Sequence, residues 1–244
     1  MKILVCISHV PDTTAKISFT DNNSQFDESG VQFIIGPYDD YALARAIELK
    51  EAKGGSVTVL NVGEVNTEPT IRKALAIGAD DAIRVNAKPK DAVYVAQQIC
   101  EIARDGAYDL ILMGRESIDY NSGVVHGIVG GLLDIPSISP VMKIDIEGSM
   151  ASVTREIDGG KEFLEVELPI VAGCQEPIAE WKIPNMRGIM TARSKPLKVV
   201  DAIDCASSET VSYENLPPKG DVKLVDPDRA EELIDLLKNE AKVL

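Results

Sequence analysis

A chain of 244 residues, with 45% hydrophobic and 26% charged residues, is long enough to bury a full core in one or two domains. Its net charge of −14 repels a phosphate backbone, and no apolar run reaches the roughly 18–20 residues of a membrane span, so we expect neither nucleic acid nor a bilayer as partner. Four scattered cysteines and two histidines have no spacing typical of a metal site or a disulfide frame. The short apolar start turns polar at Pro11, which indicates a buried strand, not a signal peptide, and predicts a cytoplasmic protein.

The first half of the chain alternates between apolar runs and helical patterns. Runs typical of strands buried on both faces occupy residues 2–10, 56–62, 81–86 and 109–114. Helical spacing fills the gaps, over residues 39–53, 71–77 and 95–105, and each pattern ends at glycine. This alternation predicts an α/β fold with a doubly wound, mostly parallel sheet. Such sheets bind ligands where their strands end, here near Pro11, Gly63 and Gly114.

The second half predicts a β-hairpin and an extended C-terminal arm. Residues 151–157 and 161–168 flank a turn containing Gly159 and Gly160, and residues 169–174 predict a final buried strand. Residues 182–198 carry five Lys or Arg side chains and no acidic one, which we interpret as a loop outside the sheet. A polar stretch then leads to an amphipathic helix that begins with Asp226 as its N-cap.

The segment after the strand at residues 109–114 resembles a phosphate-binding turn. It leads into a glycine-rich helix, and the first N–H groups of a helix are unpaired and attract anions. Asn121 and Ser122 could cap this helix and donate to a ligand, and Gly123 would permit its close approach. An ordinary capped turn explains the same residues, and the segment is neither a Walker loop nor a G-x-G-x-x-G fingerprint.

Two other segments also have a functional and a purely structural interpretation. Residues 36–40 (GPYDD) form either a turn with an acidic N-cap, which these residues alone favour, or a backbone edge beside a nucleobase. The basic segment 182–198 is either a solvated loop or a docking loop for an acidic partner, with apolar anchors among its charges. No Ser/His/Asp or Cys/His spacing suggests a catalytic site.

Six segments, taken together, resemble the β subunit of electron-transfer flavoproteins. They are the first strand running into residues 10–13 (VPDT), and residues 36–50 (GPYDDYALARAIELK), 71–80 (IRKALAIGAD), 114–119 (GRESID), 155–160 (REIDGG) and 187–196 (RGIMTARSKP). They occur in the family's order over about residues 1–200. Each is weakly specific alone, and six in register identify the chain as similar to that family.

The resemblance implies a heterodimer of this smaller subunit with a larger α subunit. One redox-active FAD would lie chiefly in the α subunit. This subunit would bind AMP, or a second FAD in electron-bifurcating relatives, and would make or break no bonds itself. Electrons would arrive from acyl-CoA and other dehydrogenases, as in fatty acid β-oxidation. They would leave towards the respiratory quinone pool through a partner oxidoreductase.

Carried over by position, the resemblance also implies the site residues. Residues 1–200 would form the nucleotide-binding domain, and residues 201–244 a linker and helix that dock on the partner subunit. The nucleotide contacts would be Cys6, Gly36, Pro37, Tyr38, Asp39, Val62, Gly63, Asp119, Asn121, Ser122, Gly123, Val124 and Val125. The docking residues would be Ile183, Met186, Arg187, Ile189, Met190, Arg193 and Lys195, with Met186 as the anchor and Ile183 as its alternative. Gly36, Val124 and His126 depart from the family pattern, which leaves open whether AMP or FAD is bound.

Two other classes of protein share this kind of sheet. A stand-alone, universal-stress-like nucleotide-binding module would explain neither the basic segment nor the C-terminal arm. A nucleotide hydrolase or ligase would need a glycine-rich motif near the first strand, where residues 8–11 (SHVP) supply none. Co-purification separates the flavoprotein subunit from the stand-alone module. A yellow complex with a larger chain indicates the flavoprotein subunit, and a colourless homodimer indicates the stand-alone module.

Overall fold

The computed structural model describes residues 1–218 and 220–244 and is built on one large sheet. Its strands are β1 (Lys2–Cys6), β2 (His9–Pro11), β3 (Phe19–Thr20), β4 (Gln25–Phe26), β5 (Phe33–Ile35), β6 (Ser56–Val62), β7 (Asp81–Asn86), β8 (Leu110–Gly114), β9 (Ser137–Glu147), β10 (Met150–Ile157), β11 (Gly160–Glu167), β12 (Ile170–Cys174) and β13 (Leu197–Asp201). Its α-helices are α1 (Pro37–Lys53), α2 (Glu68–Ile77), α3 (Ala92–Gly106), α4 (Val125–Leu133), α5 (Met186–Ala192) and α6 (Glu231–Asp235).

Nine strands form the main sheet, in the order β11-β10-β9-β12-β8-β1-β6-β7-β13. All neighbours from β9 to β13 pair in parallel, and the β10–β11 hairpin continues the sheet antiparallel at one end. From β1 the chain moves through β6 to β7 on one side and then crosses to β8 on the other. This confirms the predicted doubly wound topology, and it places the switch point between β1 and β8, where open sheets bind ligands.

Helices cover both faces of the central strands. Ile3 and Val5 of β1 pack into a core with α1 and α2, while Leu4 and Cys6 pack into a second core with α3 and α4. Because neither face of β1 meets solvent, its sequence is a continuous apolar run without polar alternation. The strand ends are therefore the part of the sheet that can present polar groups to a ligand.

The first strand is shorter than the predicted residues 2–10. β1 ends at Cys6, and β2 pairs with β5 in a separate two-stranded sheet. The chain leaves the main ladder at Ser8, whose N–H donates to the Asp39 carboxylate 2.8 Å away. The apolar pattern could not reveal this break, because Ile7 and Val10 on either side of it are both buried.

The basic segment is not a loop outside the sheet, so that prediction was wrong. It contains helix α5 and leads into β13, which pairs in parallel with β7 at the sheet edge. Arg72 of α2 donates to the carbonyls of Ala192 and Lys195, and the Lys195 ammonium donates to that of Leu75. The proposed domain boundary at residue 200 falls inside β13.

Strand β9 was not predicted, although it is 11 residues long. Pro140 within it counts against a strand, because proline cannot donate to a ladder. Next to this proline, at Val141, β9 shifts its pairing register against both β10 and β12. Such an irregularity accommodates a proline.

The C-terminal arm ends in the predicted helical region, but its α-helix is short. Asp226 accepts a hydrogen bond from the N–H of Asp228, and a 3₁₀ turn then leads into α6. Apolar side chains along the arm are exposed, among them Val211, Leu216, Val222, Leu224, Leu233 and Ile234. Within the described part of the chain, no helix is long and apolar enough to cross a membrane.

Candidate functional site

Asp39 joins three elements at the switch point. It lies in the first turn of α1, is buried, and accepts hydrogen bonds from the backbone N–H groups of Ser8 and Gly114, at 2.8 and 2.7 Å. Ser8 follows β1 and Gly114 ends β8, so the carboxylate holds the two strand ends against the start of α1. The predicted acidic N-cap was wrong, because Gly36 occupies the N-cap position of α1 without a side-chain cap, and Asp39 instead joins distant segments of the chain.

Two glycines make room for this junction. A Cβ atom on Gly36 would lie 2.5 Å from Asp39 Oδ2, and one on Gly114 would lie 2.7 Å from Asp39 Oδ1. Carbon and oxygen do not approach this closely, so a side chain at either position would displace the carboxylate. Burial raises the pKa of Asp39, and the donors from Ser8 and Gly114 oppose that shift by stabilising the ionised form.

The neighbouring Asp40 is less well satisfied. Its Oδ1 atom is buried without a hydrogen-bond partner, and the nearest cation is the Lys73 ammonium, at 3.9 Å from Oδ2. Burial raises the pKa of Asp40 from 3.8 to about 6, against the attraction of Lys73. The ionised carboxylate therefore opposes folding at neutral pH.

Replacing Asp40 with asparagine is expected to stabilise the protein in a pH-dependent way. A carboxyl whose pKa is raised in the folded state costs stability as the pH rises from about 4 through about 6. The variant should match the natural protein near pH 4 and exceed it by about 1–2 kcal/mol at pH 8, since the new amide finds few partners of its own. Urea unfolding across this pH range measures the difference, and a pH-independent difference would contradict the assignment.

The ends of β1 and its neighbour β6 supply Cys6, Val62 and Gly63. Cys6 and Val62 are buried, and burial, followed by the Asp39 charge, raises the pKa of the Cys6 thiol well above its usual value. Cys6 is thus a neutral packing group with no nucleophilic role. Gly63 donates to Val85 O, and the guanidinium of Arg84 donates to Gly63 O at 2.9 Å.

Arg84 is a residue that the sequence reasoning missed. It is buried in β7, fixes the backbone of Gly63, and forms an ion pair with Glu68 at 3.3 Å. A charged residue in the middle of an apolar strand run was the available signal.

The predicted phosphate turn leads into α4, but not with the expected cap. Val124 occupies the N-cap position, and no side chain caps the helix, so neither Asn121 nor Ser122 has the capping role considered above. Asn121 and Gly123 adopt left-handed backbone conformations, with φ of +50° and +59°. A Cβ on Gly123 would meet only ordinary contacts, 3.7 Å from Arg115 O and 3.9 Å from Glu116 Oε2, so the start of α4 offers uncapped N–H groups to an anion with one carboxylate close by.

A second cation that the sequence reasoning missed lies beside this turn. The guanidinium carbon of Arg115 is 5.4 Å from the centre of the Tyr38 ring, and the side chain donates to Gln175 and pairs with Glu116 at 3.4 Å. Arg115 therefore connects the α1 turn with the loop that carries Asp119 and Gly123. Its position directly after β8 was the signal in the sequence.

The structure thus brings the predicted nucleotide residues to the carboxyl ends of three neighbouring central strands. β8, β1 and β6 are adjacent, and the segments that follow them carry the α4 turn, the Asp39 junction and Gly63. Among the described residues, no group of three or more His, Cys, Asp or Glu side chains could hold a metal ion. This end of the central strands is suited to a nucleotide, because it offers backbone N–H groups for a phosphate and has buried strand ends beside them.

The predicted docking residues lie elsewhere, on and before α5. Ile183, Met186 and Met190 are each more than 70% exposed, and we call these three side chains the docking face. Gly188 allows α5 to lie against α2, since a Cβ there would come 2.2 Å from Ala76 O. With that side of α5 packed on α2, its methionines face outward.

Of the other docking residues, Arg187, Ile189 and Arg193 are exposed, and Lys195 is not. The Lys195 ammonium bonds to internal carbonyls, and burial lowers its pKa. We therefore assign Lys195 to the fold and retain the arginines as candidate surface charges.

Comparison with known proteins identifies the family. The family model described as the electron transfer flavoprotein domain matches residues 24–205. Electron transfer flavoprotein subunit beta of Bacillus subtilis is 35% identical over the full length of both chains, that of Syntrophomonas wolfei 34% identical over all of this chain and 98% of its own, and that of Homo sapiens 30% identical over 90% of each. The chain therefore belongs to the electron transfer flavoprotein family, whose members carry electrons and are not themselves bond-making catalysts.

Proposed function

We propose that this chain is the smaller subunit of a heterodimeric electron-transfer flavoprotein and binds AMP at the carboxyl ends of β8, β1 and β6. Its partner is a larger α subunit that holds most of the FAD, and this flavin, when bound, supplies the redox chemistry. The heterodimer accepts electrons from acyl-CoA and other dehydrogenases. It passes them towards the respiratory quinone pool through a partner oxidoreductase.

The start of α4 is the single observation that carries the nucleotide assignment. Its N–H groups have no side-chain cap, and Gly123 places no side chain in front of them. An uncapped helix start attracts one phosphate group. Its position beside the switch point of the sheet supports a nucleotide whose other parts extend past the Asp39 junction towards Gly63.

AMP is favoured over a second FAD by the absence of a dinucleotide fingerprint from the sequence. A pyrophosphate normally needs a glycine-rich turn directly after a strand, and residues 7–11 (ISHVP) offer none after β1. The residues present fit one phosphate on α4, and the FAD of the heterodimer then belongs to the α subunit.

The C-terminal arm supports a stable partner subunit. Leu216, Val222 and Leu224 are each at least 85% exposed, and Leu233 and Ile234 of α6 are also exposed. A monomeric soluble protein rarely leaves so many apolar side chains in solvent along one segment. We assign this segment to the α-subunit interface, which separates it from the docking face on α5.

The heterodimer purified from its host is expected to contain one AMP and one FAD. Denaturing it and identifying the released ligands by mass spectrometry tests the assignment. This chain produced alone should be colourless. FAD released in a ratio of two per heterodimer would replace AMP by the bifurcating alternative, and a colourless homodimer with no larger partner would favour the universal-stress-like alternative.

A further inference from the structure

A cleft lies between α2 and α5, beside the docking face. Its volume is about 270 Å³, and apolar residues of both helices line it together with three cations; the lining includes Pro69, Ala76, Ile189, Arg72, Lys73 and Arg193. Sites for small molecules usually have volumes of roughly 300–1,000 Å³. The cleft is therefore better suited to a single protein side chain than to a cofactor.

Arg72 is a half-buried cation of this cleft, and its hydrogen bonds are incomplete. Its Nη1 atom donates to the carbonyls of Ala192 and Lys195, at 2.9 and 2.8 Å, which fixes the guanidinium against the end of α5. Among the residues that the structure describes, its Nε and Nη2 atoms make no hydrogen bond, and no carboxylate pairs with it. A guanidinium has five N–H donors in a planar fork that matches a carboxylate, so Arg72 retains donors for an acidic group.

The other two cations are also poorly neutralised. The Lys73 ammonium has one acidic neighbour, Asp40, at the long distance of 3.9 Å. Arg193 is exposed at the mouth of the cleft and forms no ion pair within the described part of the chain. The sequence contains 39 Asp and Glu residues against 25 Lys and Arg, so acidic partners are plentiful elsewhere on the molecule. Three cations that share a single long contact to a carboxylate therefore form a surface complementary to an acidic group of another molecule.

The position of the cleft indicates which molecule supplies that group. Ile189, which lines the cleft, lies in α5 between Met186 and Met190 of the docking face. A dehydrogenase that covers the docking face therefore also reaches the mouth of the cleft. The apolar side chains assigned to the α subunit belong to residues 211–234, beyond β13 in the sequence. An acidic side chain from the dehydrogenase would place its aliphatic part on Ile189 and Ala76 and its carboxylate on Arg72.

We propose that the cleft between α2 and α5 receives one acidic side chain of the electron-donating dehydrogenase, whose carboxylate binds Arg72. The proposal rests on the proposed function, since it presupposes that a dehydrogenase docks at α5. Docking is then reciprocal, because apolar side chains of this chain contact the dehydrogenase while one of its carboxylates enters this chain. A half-buried pair is screened less by salt than exposed charges are, so Arg72 should act on the lifetime of the complex, and the exposed arginines on its formation.

The test measures how fast a fluorescently labelled acyl-CoA dehydrogenase leaves the heterodimer when excess unlabelled dehydrogenase is added. Arg72→Gln is expected to speed dissociation about tenfold, the effect of losing a charged hydrogen bond, and Lys73→Gln about threefold, since Lys73 adds only a nearby charge. Arg104→Gln is the matched control. Arg104 also donates to a carbonyl of a neighbouring helix, Leu132 O of α4, but on the opposite face of the sheet, so its loss should change the rate by less than about twofold.

Amide substitutions on the dehydrogenase identify the occupant. Its surface Asp and Glu residues are changed to Asn and Gln one at a time, and each variant is paired with the natural heterodimer and with Arg72→Gln. In one of these variants Arg72→Gln should no longer speed dissociation, because the carboxylate that it contacts is already absent. An Arg72→Gln effect that persists in every amide variant would overturn the proposal.

Two further results would also overturn it. One is that Arg72→Gln and Lys73→Gln both dissociate at the natural rate. The other is that Arg72→Gln fails to co-purify with the α subunit while Arg104→Gln does so, which would mean that the α subunit occupies the cleft. If Arg72→Gln lowers the thermal unfolding temperature, Lys73→Gln decides, because it leaves the bonds from Arg72 to α5 in place. If the natural heterodimer accepts no electrons from an acyl-CoA dehydrogenase, the proposed function fails instead.

Discussion

Replacing Gly123 with aspartate is expected to remove AMP from the heterodimer, while replacing it with asparagine should leave most of it bound. Both residues tolerate the left-handed backbone at this position, and a Cβ would meet only ordinary contacts, 3.7 Å or more away. The two variants therefore differ mainly in charge. Two negative charges 4 Å apart repel by about 4 kcal/mol at an effective dielectric constant of 20.

The nucleotide content of the two purified heterodimers measures this difference. Gly131→Asp is a suitable control, because it places the same charge on an open position of α4 away from the helix start. Loss of AMP from the Gly123→Asp variant alone would locate the phosphate at the beginning of α4. Equal AMP content in all three variants would mean that the phosphate lies elsewhere at the carboxyl ends of these strands.

The central strands could be predicted from sequence because their burial is reflected in their composition. The bounds of β6 and β7 agree with the predicted residues, and β8 begins one residue later than predicted. Each of these strands has a helix layer on either face, so apolar residues predominate in β6 and β8, whereas β7 also carries Asp81, Arg84 and Asn86. At the sheet edge this signal disappears, since β13 contains Lys198 and Asp201 among partly exposed apolar residues, and its first two residues were interpreted as part of a loop.

The candidate site could be predicted only where it depends on local sequence. The strand–turn–helix pattern before α4 was visible, but the role of Asp39 was not, because its partners Ser8 and Gly114 lie 31 and 75 residues away. An acidic residue at the first turn of a helix has a sufficient local explanation as a cap. The attachment of residues 203–213 to the domain was missed for a related reason, since Ser208 and Tyr213 make their contacts as single polar or aromatic side chains within a segment of linker-like composition.

The docking face is expected to determine how long a dehydrogenase remains bound. Ile183→Ala, Met186→Ala and Met190→Ala should each be compared, because all three side chains are similarly exposed and the structure does not favour Met186 over Ile183. The anchor among them should weaken docking by roughly 1–3 kcal/mol, mainly through faster dissociation. Phe163→Ala, an equally exposed apolar side chain on β11 beyond the opposite end of the sheet, is the matched control and should have no effect.

Reversal of the surface charges should have a different kinetic effect. Arg187 and Arg193 are exposed beside the docking face, so changing both to glutamate should slow association and flatten its dependence on salt, while the dissociation rate changes little. Lys195 is left out of this pair because its bonds to Leu75 and Ala79 make it part of the fold, and its reversal would lower stability whatever its role in docking. Stopped-flow reduction of the heterodimer by its dehydrogenase, over a salt series, measures both rates. If the alanine variants and the reversed pair all accept electrons at the natural rate, the dehydrogenase binds a different surface, and α5 serves only to connect α2 with the sheet edge.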